Sequence, residues 1–122
     1  DEVEELWITF PDPQEKRRRR KKRLTAPRFL NLYRQFLVDN GTIHLKTDNN
    51  LLYRYTLRLL RHNNLEIVHE ADDLYTSEMA DDLRTIRTHY ESQYLEEGKT
   101  IHYLAFRLPR EQEIKDLPDE DE

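Results

Sequence analysis

The sequence predicts an α/β layered fold with parallel strand pairing. Two observations carry this. Short apolar, β-rich runs alternate along the chain with longer stretches whose apolar residues recur at helical spacing. A helix between successive strands acts as a crossover, and crossovers imply parallel pairing.

The elements follow in order. Residues 6–10 (Leu-Trp-Ile-Thr-Phe) are a mostly apolar run of the kind buried on both faces of a parallel sheet, and Pro11 ends it. Residues 25–40 read as a helix. Thr25 is its expected N-cap, Pro27 sits in its first turn, and Phe29, Leu30, Leu32, Tyr33, Phe36 and Leu37 form one apolar stripe. Asn40-Gly41 reads as its stop signal. Residues 42–47 are the next strand. Asp48 is then expected to cap a helix running to about residue 61, with Leu51, Leu52, Tyr55, Leu59 and Leu60 on its buried side. A short strand over 65–68, a weaker helix over 77–86, a helix from Thr88 to near Gly98 and a final strand over 100–108 complete the pattern. A buried-type strand so near the first residue, with nothing before it to pair with, predicts that half of a sheet is missing.

Composition narrows the functional classes. The 122 residues suit one small domain, with 36% hydrophobic and 37% charged content. There is no cysteine, so disulfides and thiolate metal sites are excluded. No apolar run approaches a membrane span and no signal peptide is present, so a cytoplasmic protein is expected. The net charge of −5 is unevenly spread: residues 16–23 are eight consecutive cations, while residues 111–122 carry seven acids and one lysine. A concentrated cationic run on an otherwise acidic chain suits a polyanion, because local fields steer such a partner. The run also matches a solvated face or an import signal, but it exceeds what solubility needs. Without interleaved aromatics, it is expected to grip phosphates rather than read bases.

Ligands of open α/β sheets bind beyond the carboxyl ends of the strands, and two acids fall there. Asp12 lies between Pro11 and Pro13, and its backbone is held extended because it precedes proline. Asp48 follows the second strand. Each also has an ordinary use, as a turn residue or a helix cap. Thr88-His89-Tyr90-Glu91 is likewise a complete capping box. The five histidines show no metal-ligand spacing and read as surface or strand residues.

Taken together, these motifs resemble a known family. "FPDPQEKRRRRKKRLT", residues 10–25, is similar without a gap to the Phe-Pro-Asp-Pro-Trp-x-Lys-x-Arg-His-x-Lys-Arg-Arg-Leu-Thr signature of the bacterial tRNA (guanine-N7)-methyltransferases. "LKTDNN" and "THYE" resemble that family's Thr-Asp and Thr-x-Phe-Glu motifs. The resemblance covers nearly the whole chain up to Arg107. It implies the C-terminal half of a Rossmann-like class I methyltransferase fold: a mostly parallel sheet with a final antiparallel strand over residues 1–109. The acidic composition of residues 110–122 predicts a disordered tail after it. The activity implied is methyl transfer from S-adenosylmethionine to N7 of the variable-loop guanosine of tRNA, position 46.

By resemblance, Asp12 is the catalytic acid and touches the cofactor. Lys16, Asp48, Thr88, His89, Tyr90 and Glu91 bind substrate, and Arg18, Arg19, Arg20, Lys21, Lys22 and Arg23 contact RNA. No metal is implied. Gln14 departs from the family's Trp and Arg19 from its His, while Tyr90 for Phe is mild. The family's glycine-rich cofactor loop is not in this sequence, so the chain alone is expected to be inactive. The competing expectations are a non-catalytic RNA-binding module, or a half-domain that self-associates through an exposed sheet edge.

Overall fold

The computed structural model describes residues 3–73, 98 and 100–118. The chain runs through β1 (Val3–Thr9), a 3-10 helix (Arg17–Lys22), α1 (Pro27–Tyr33), β2 (Leu37–Thr47), α2 (Asn50–His62), β3 (Ile67–Ala71) and β4 (His102–Leu108). The helices expected over 77–86 and from Thr88 lie outside the described residues.

The four strands form one sheet in the order β1-β2-β4-β3. β1 pairs parallel to β2, and β4 runs antiparallel to both β2 and β3. Three strands thus share one direction, with the last strand reversed and inserted between two of them. This is the mostly parallel sheet with a final antiparallel strand that the family resemblance implies, and it fits part of a Rossmann-like fold. Because β4 is reversed, its first residue lies at the same edge as the carboxyl ends of β1, β2 and β3. Thr9 stands opposite Lys46, Thr47 opposite His102, and Ala71 opposite Tyr103.

One face of the sheet carries the main core. Ile8, Ile43, Leu45, Leu104 and Phe106 pack with Leu30 and Tyr33 of α1 and with Leu52, Tyr55, Leu59 and Leu60 of α2. α2 is the best-formed helix. Asn49 is its N-cap, its side chain accepting from the Leu52 amide at 2.8 Å. Its end is a Schellman turn: Asn64 takes a left-handed φ of 55°, Leu65 N–H reaches Leu60 O, and Asn64 N–H reaches Arg61 O.

Several local expectations are corrected. The cap is Asn49, not Asp48, because Asn49 is the residue whose carboxamide reaches the third residue on. Leu51 is exposed rather than on the buried side. α1 is half the expected length and begins after Ala26; Thr25 is buried instead, its hydroxyl 2.8 Å from that of Thr56. Phe36 and Leu37 fit a helical stripe, but Leu37 already opens β2.

Asn40-Gly41 stops no helix. It forms an irregularity inside β2, where Asn40 has φ 59° and the register against β1 jumps. A Cβ on Gly41 would sit 2.6 Å from Leu37 Cγ, so only glycine allows this close approach. β1 is not buried on both faces: it is an edge strand among the described residues, and only Ile8 is fully buried. β3 starts two residues later than expected.

Residues 110–118 do not form the disordered tail expected from their acids. Ile114 and Leu117 enter the main core. Asn31 clasps Ile114 through both N–H and C=O, and Asn63 clasps Lys115 in the same way. The carboxamides stand in for a strand partner, satisfying a backbone that has none.

The other face is polar and aromatic. Trp7 stacks on His44 at 3.8 Å, with ring planes 4° apart. His44 bridges the Tyr103 hydroxyl at 2.8 Å and a Glu5 carboxylate oxygen at 3.0 Å. Burial pushes the His44 pKa below its ordinary value, against the opposing pull of Glu5. Burial, helped by Glu5, raises that of Tyr103 to about 12. Among the described residues no helix is long and apolar enough to cross a membrane.

This packing is testable at both faces. Ile114→Ala should cost about 2–4 kcal/mol in chemical denaturation, as for other core truncations; a change below about 0.5 kcal/mol would mean that the segment does not pack. His44 has a lower pKa folded than unfolded, so its contribution is complete above about pH 6.5 and is lost as pH falls below that. The drop in urea midpoint between pH 7.5 and 5.5 should therefore be smaller in His44→Gln than in the wild type, and an equal drop would refute the assignment.

Candidate active site and nucleic-acid interface

β1 delivers its chain to the carboxyl edge of the sheet and then turns sharply. Phe10 N–H donates to Lys46 O at 2.8 Å, and Phe10 takes φ 50°, a conformation costly for a bulky residue. Pro11-Asp12-Pro13 follows, and Gln14 takes φ 47°. Strained backbone therefore brackets Asp12 on both sides. One Asp12 carboxylate oxygen accepts from the Gln14 amide at 2.9 Å. This is an Asx-type turn, and it fixes the carboxylate while leaving it exposed.

Asp12, Pro13, Gln14, Glu15, Lys16 and Arg19 line one open cleft of about 370 Å³. The sequence-predicted acid, the first predicted substrate lysine and one predicted RNA-contact arginine are thus brought together. Asp48 sits beyond the end of β2, the strand adjacent to β1, and is half-buried. Thr88, His89, Tyr90 and Glu91 lie outside the described residues.

The basic run forms the 3-10 helix, a structure that its sequence did not suggest. Residues three apart eclipse in such a helix. Arg17 lines up with Arg20, Arg18 with Lys21, and Arg19 with Lys22. Like charges so aligned repel, and a bound polyanion relieves the repulsion. Arg18, Arg19, Lys21 and Lys22 are exposed, and Arg20 is half-buried.

Arg23 departs from its predicted place among them. It is fully buried (0% exposed), with its guanidinium carbon 4.4 Å from the centroid of the Tyr55 ring. A side chain so enclosed does not reach a phosphate in solvent.

A second group at this edge was not singled out by the sequence pattern. His102, the first residue of β4, stacks on Tyr53 at 4.8 Å, and its Nδ1 contacts the main-chain oxygen and a carboxylate oxygen of Asp72. Burial, followed by the charges of Glu70 and Asp72, raises the Tyr53 pKa. The usable signal was topological: a reversed last strand begins where the parallel strands end. Among the described residues, no group of three or more His, Cys, Asp or Glu side chains could hold a metal ion.

Residues 1–104 match a protein-family model described as "Putative methyltransferase". The chain is 47% identical over 115 residues to a tRNA (guanine-N(7)-)-methyltransferase of Bacteroides fragilis, covering 94% of this chain and 45% of that protein. It is 47% identical over 125 residues to the protein of the same name in Porphyromonas gingivalis, covering 97% and 50%. Against the one in Mycoplasmopsis pulmonis it is 42% identical over 105 residues, covering 86% and 51%. The chain spans about half the length of the curated relatives that it matches.

Proposed function

Because this chain belongs to the methyltransferase family whose model its first 104 residues match, we propose that the whole protein methylates N7 of a guanosine in tRNA, the variable-loop guanosine at position 46. S-adenosylmethionine is the methyl donor, and the protein acts in the cytoplasm. The observation that carries this reading is the cleft beside β1, where an oriented carboxylate, a lysine and an arginine share one wall. The names of the relatives supply the reaction class.

The edge fits one side of such a donor. Asp12 is exposed and its carboxylate is already turned by the Gln14 amide, a suitable neighbour for a cationic group. The glycine-rich cofactor loop of the resembled family has no counterpart among these 122 residues, which hold two glycines, so we propose that these residues alone do not carry out the reaction. When bound, S-adenosylmethionine supplies an electrophilic methyl group, whose transfer moves positive charge from sulfur to the purine.

The residues here have correspondingly limited tasks. Guanine N7 carries an available lone pair, so no strong base has to remove a proton first. What accelerates the reaction is alignment of N7 and stabilisation of the charge that develops on the purine. Asp12 does both, accepting from the guanine N–H edge and facing the growing charge. Asp48 and Glu91 add acceptors to the base, Lys16 and Thr88 to Tyr90 complete its surroundings, and the exposed cations of the 3-10 helix hold phosphates.

Two measurements test this. In the longest natural form of the protein, Asp12→Ala should lower the rate of N7-methylguanosine formation in tRNA about 100-fold or more, the usual scale for losing a preorganised charge-stabilising group; wild-type turnover would sink the assignment. Replacing Arg18, Arg19, Lys21 and Lys22 with Ala should flatten the plot of log affinity for tRNA against log salt by about 0.7–0.9 for each phosphate no longer neutralised. An unchanged slope would put the RNA on another surface.

A further inference from the structure

Arg23 ends the basic run in sequence but leaves it in space. Its Nε donates to the main-chain carbonyls of Pro13 at 3.1 Å and Gln14 at 3.2 Å. Its guanidinium lies over the Tyr55 ring, on the buried side of α2. The next residues are anchored to the helices as well: Tyr33 Oη donates to Leu24 O at 2.9 Å, and the hydroxyls of Thr25 and Thr56 are 2.8 Å apart.

Pro13 and Gln14 are the two residues that follow Asp12. Gln14 is held from both sides: its carbonyl accepts from Arg23, and its N–H donates to the Asp12 carboxylate. Its φ of 47° is one that a non-glycine residue keeps only when its surroundings impose it. Burying a guanidinium is costly unless carbonyls and an aromatic face replace its water, and both are present here. Both contacts of Gln14 use its main chain. They are therefore independent of the side chain, which stands where the resembled family has Trp.

We propose that Arg23 is a positioning residue for the reaction: it clamps the backbone after Asp12 onto Tyr55 and so sets the direction of the Asp12 carboxylate, rather than binding RNA. The role in catalysis rests on the reading of Asp12 given above; the clamp itself does not. A lysine at this position keeps the charge but loses the planar fork that lies on the ring while donating sideways.

The test uses the longest natural form of the protein and three readouts: turnover against tRNA and hydrogen exchange at the Gln14 amide on Arg23→Lys, and the salt slope of tRNA binding on Arg23→Gln, which removes the charge. Turnover should fall about 10- to 100-fold, the cost of a small misalignment, with the KM for tRNA within about twofold of wild type. The salt slope should be unchanged, and the Gln14 amide should exchange faster. Tyr55→Leu, which removes the ring but keeps an apolar side chain on α2, should show the same pattern and decides the matter if Arg23→Lys does not fold. Wild-type turnover and exchange in the folded variants would overturn the proposal. So would a flattened salt slope, which would make Arg23 an RNA ligand. If Asp12→Ala leaves methylation intact, the functional reading fails, while exchange at Gln14 still decides whether the clamp exists.

Discussion

The contact between α2 and the apolar face of the sheet supports everything at the carboxyl edge. Leu52, Tyr55, Leu59 and Leu60 are all essentially inaccessible, and they meet Leu45, Leu104 and Phe106 from the two central strands. Burial of side chains this large stabilises by roughly 1.5–3 kcal/mol each, so this seam contributes much of the apolar stabilisation of the described structure. The loop after β1 has no comparable core of its own. It borrows rigidity from the seam through Tyr55 and Thr56, which face the core from α2 and also meet Arg23 and Thr25. Deepening or loosening the seam therefore alters the loop, although no residue of the seam belongs to the cleft.

Reversal of the last strand has a second consequence. In an all-parallel sheet only carboxyl ends reach this edge. Here β4 contributes its amino end, and with it a histidine stacked against Tyr53 and joined to Asp72. The same strand supplies Tyr103 to the polar face, where Glu5, His44 and Trp7 form a hydrogen-bonded stack. A polar network on a sheet face rigidifies if its members are satisfied and destabilises if they are not. The His44 imidazole is satisfied at both nitrogens, which suits its lowered pKa and neutral state. One face of this sheet is thus held by apolar burial, and the other combines a smaller apolar cluster around Ala71, Ile101, Tyr103 and Ala105 with directional bonds.

Much of this was legible in the sequence. Apolar periodicity located α2 and the inner parts of β2 and β4, and the strand-end rule placed Asp12 and Asp48 at the carboxyl edge, where both lie. Other features could not be read because one residue pattern serves two structures. Phe36 and Leu37 continue a helical stripe equally well as they begin a strand. Asn40-Gly41 supplies left-handed backbone and close approach, which a helix terminus and a strand irregularity need alike. Asp48 and Asn49 are both good caps, and only the geometry selects the second. In the tail, seven acids obscured Ile114 and Leu117, whose spacing of three places both in the core. Arg23 was illegible for a different reason: eight cations look alike in sequence, and only the neighbouring ring and carbonyls distinguish the one that turns inward.

That distinction changes how the cationic run is understood. A run that acted only as a uniform field would have no reason to bury its last member, because an enclosed charge is withdrawn from the polyanion. Burying it also costs solvation. What is gained is a rigid junction between the exposed charges and the carboxylate four residues before the run begins. The 3-10 helix starts directly after Lys16, a residue of the cleft, and ends against Arg23, which returns to the backbone of Pro13 and Gln14. The cations and Asp12 therefore form one closed loop of chain. The exposed cations and the Asp12 carboxylate are thus tied together by the same few contacts, those of Arg23 with the main chain of Pro13 and Gln14 and that of Asp12 with the Gln14 amide.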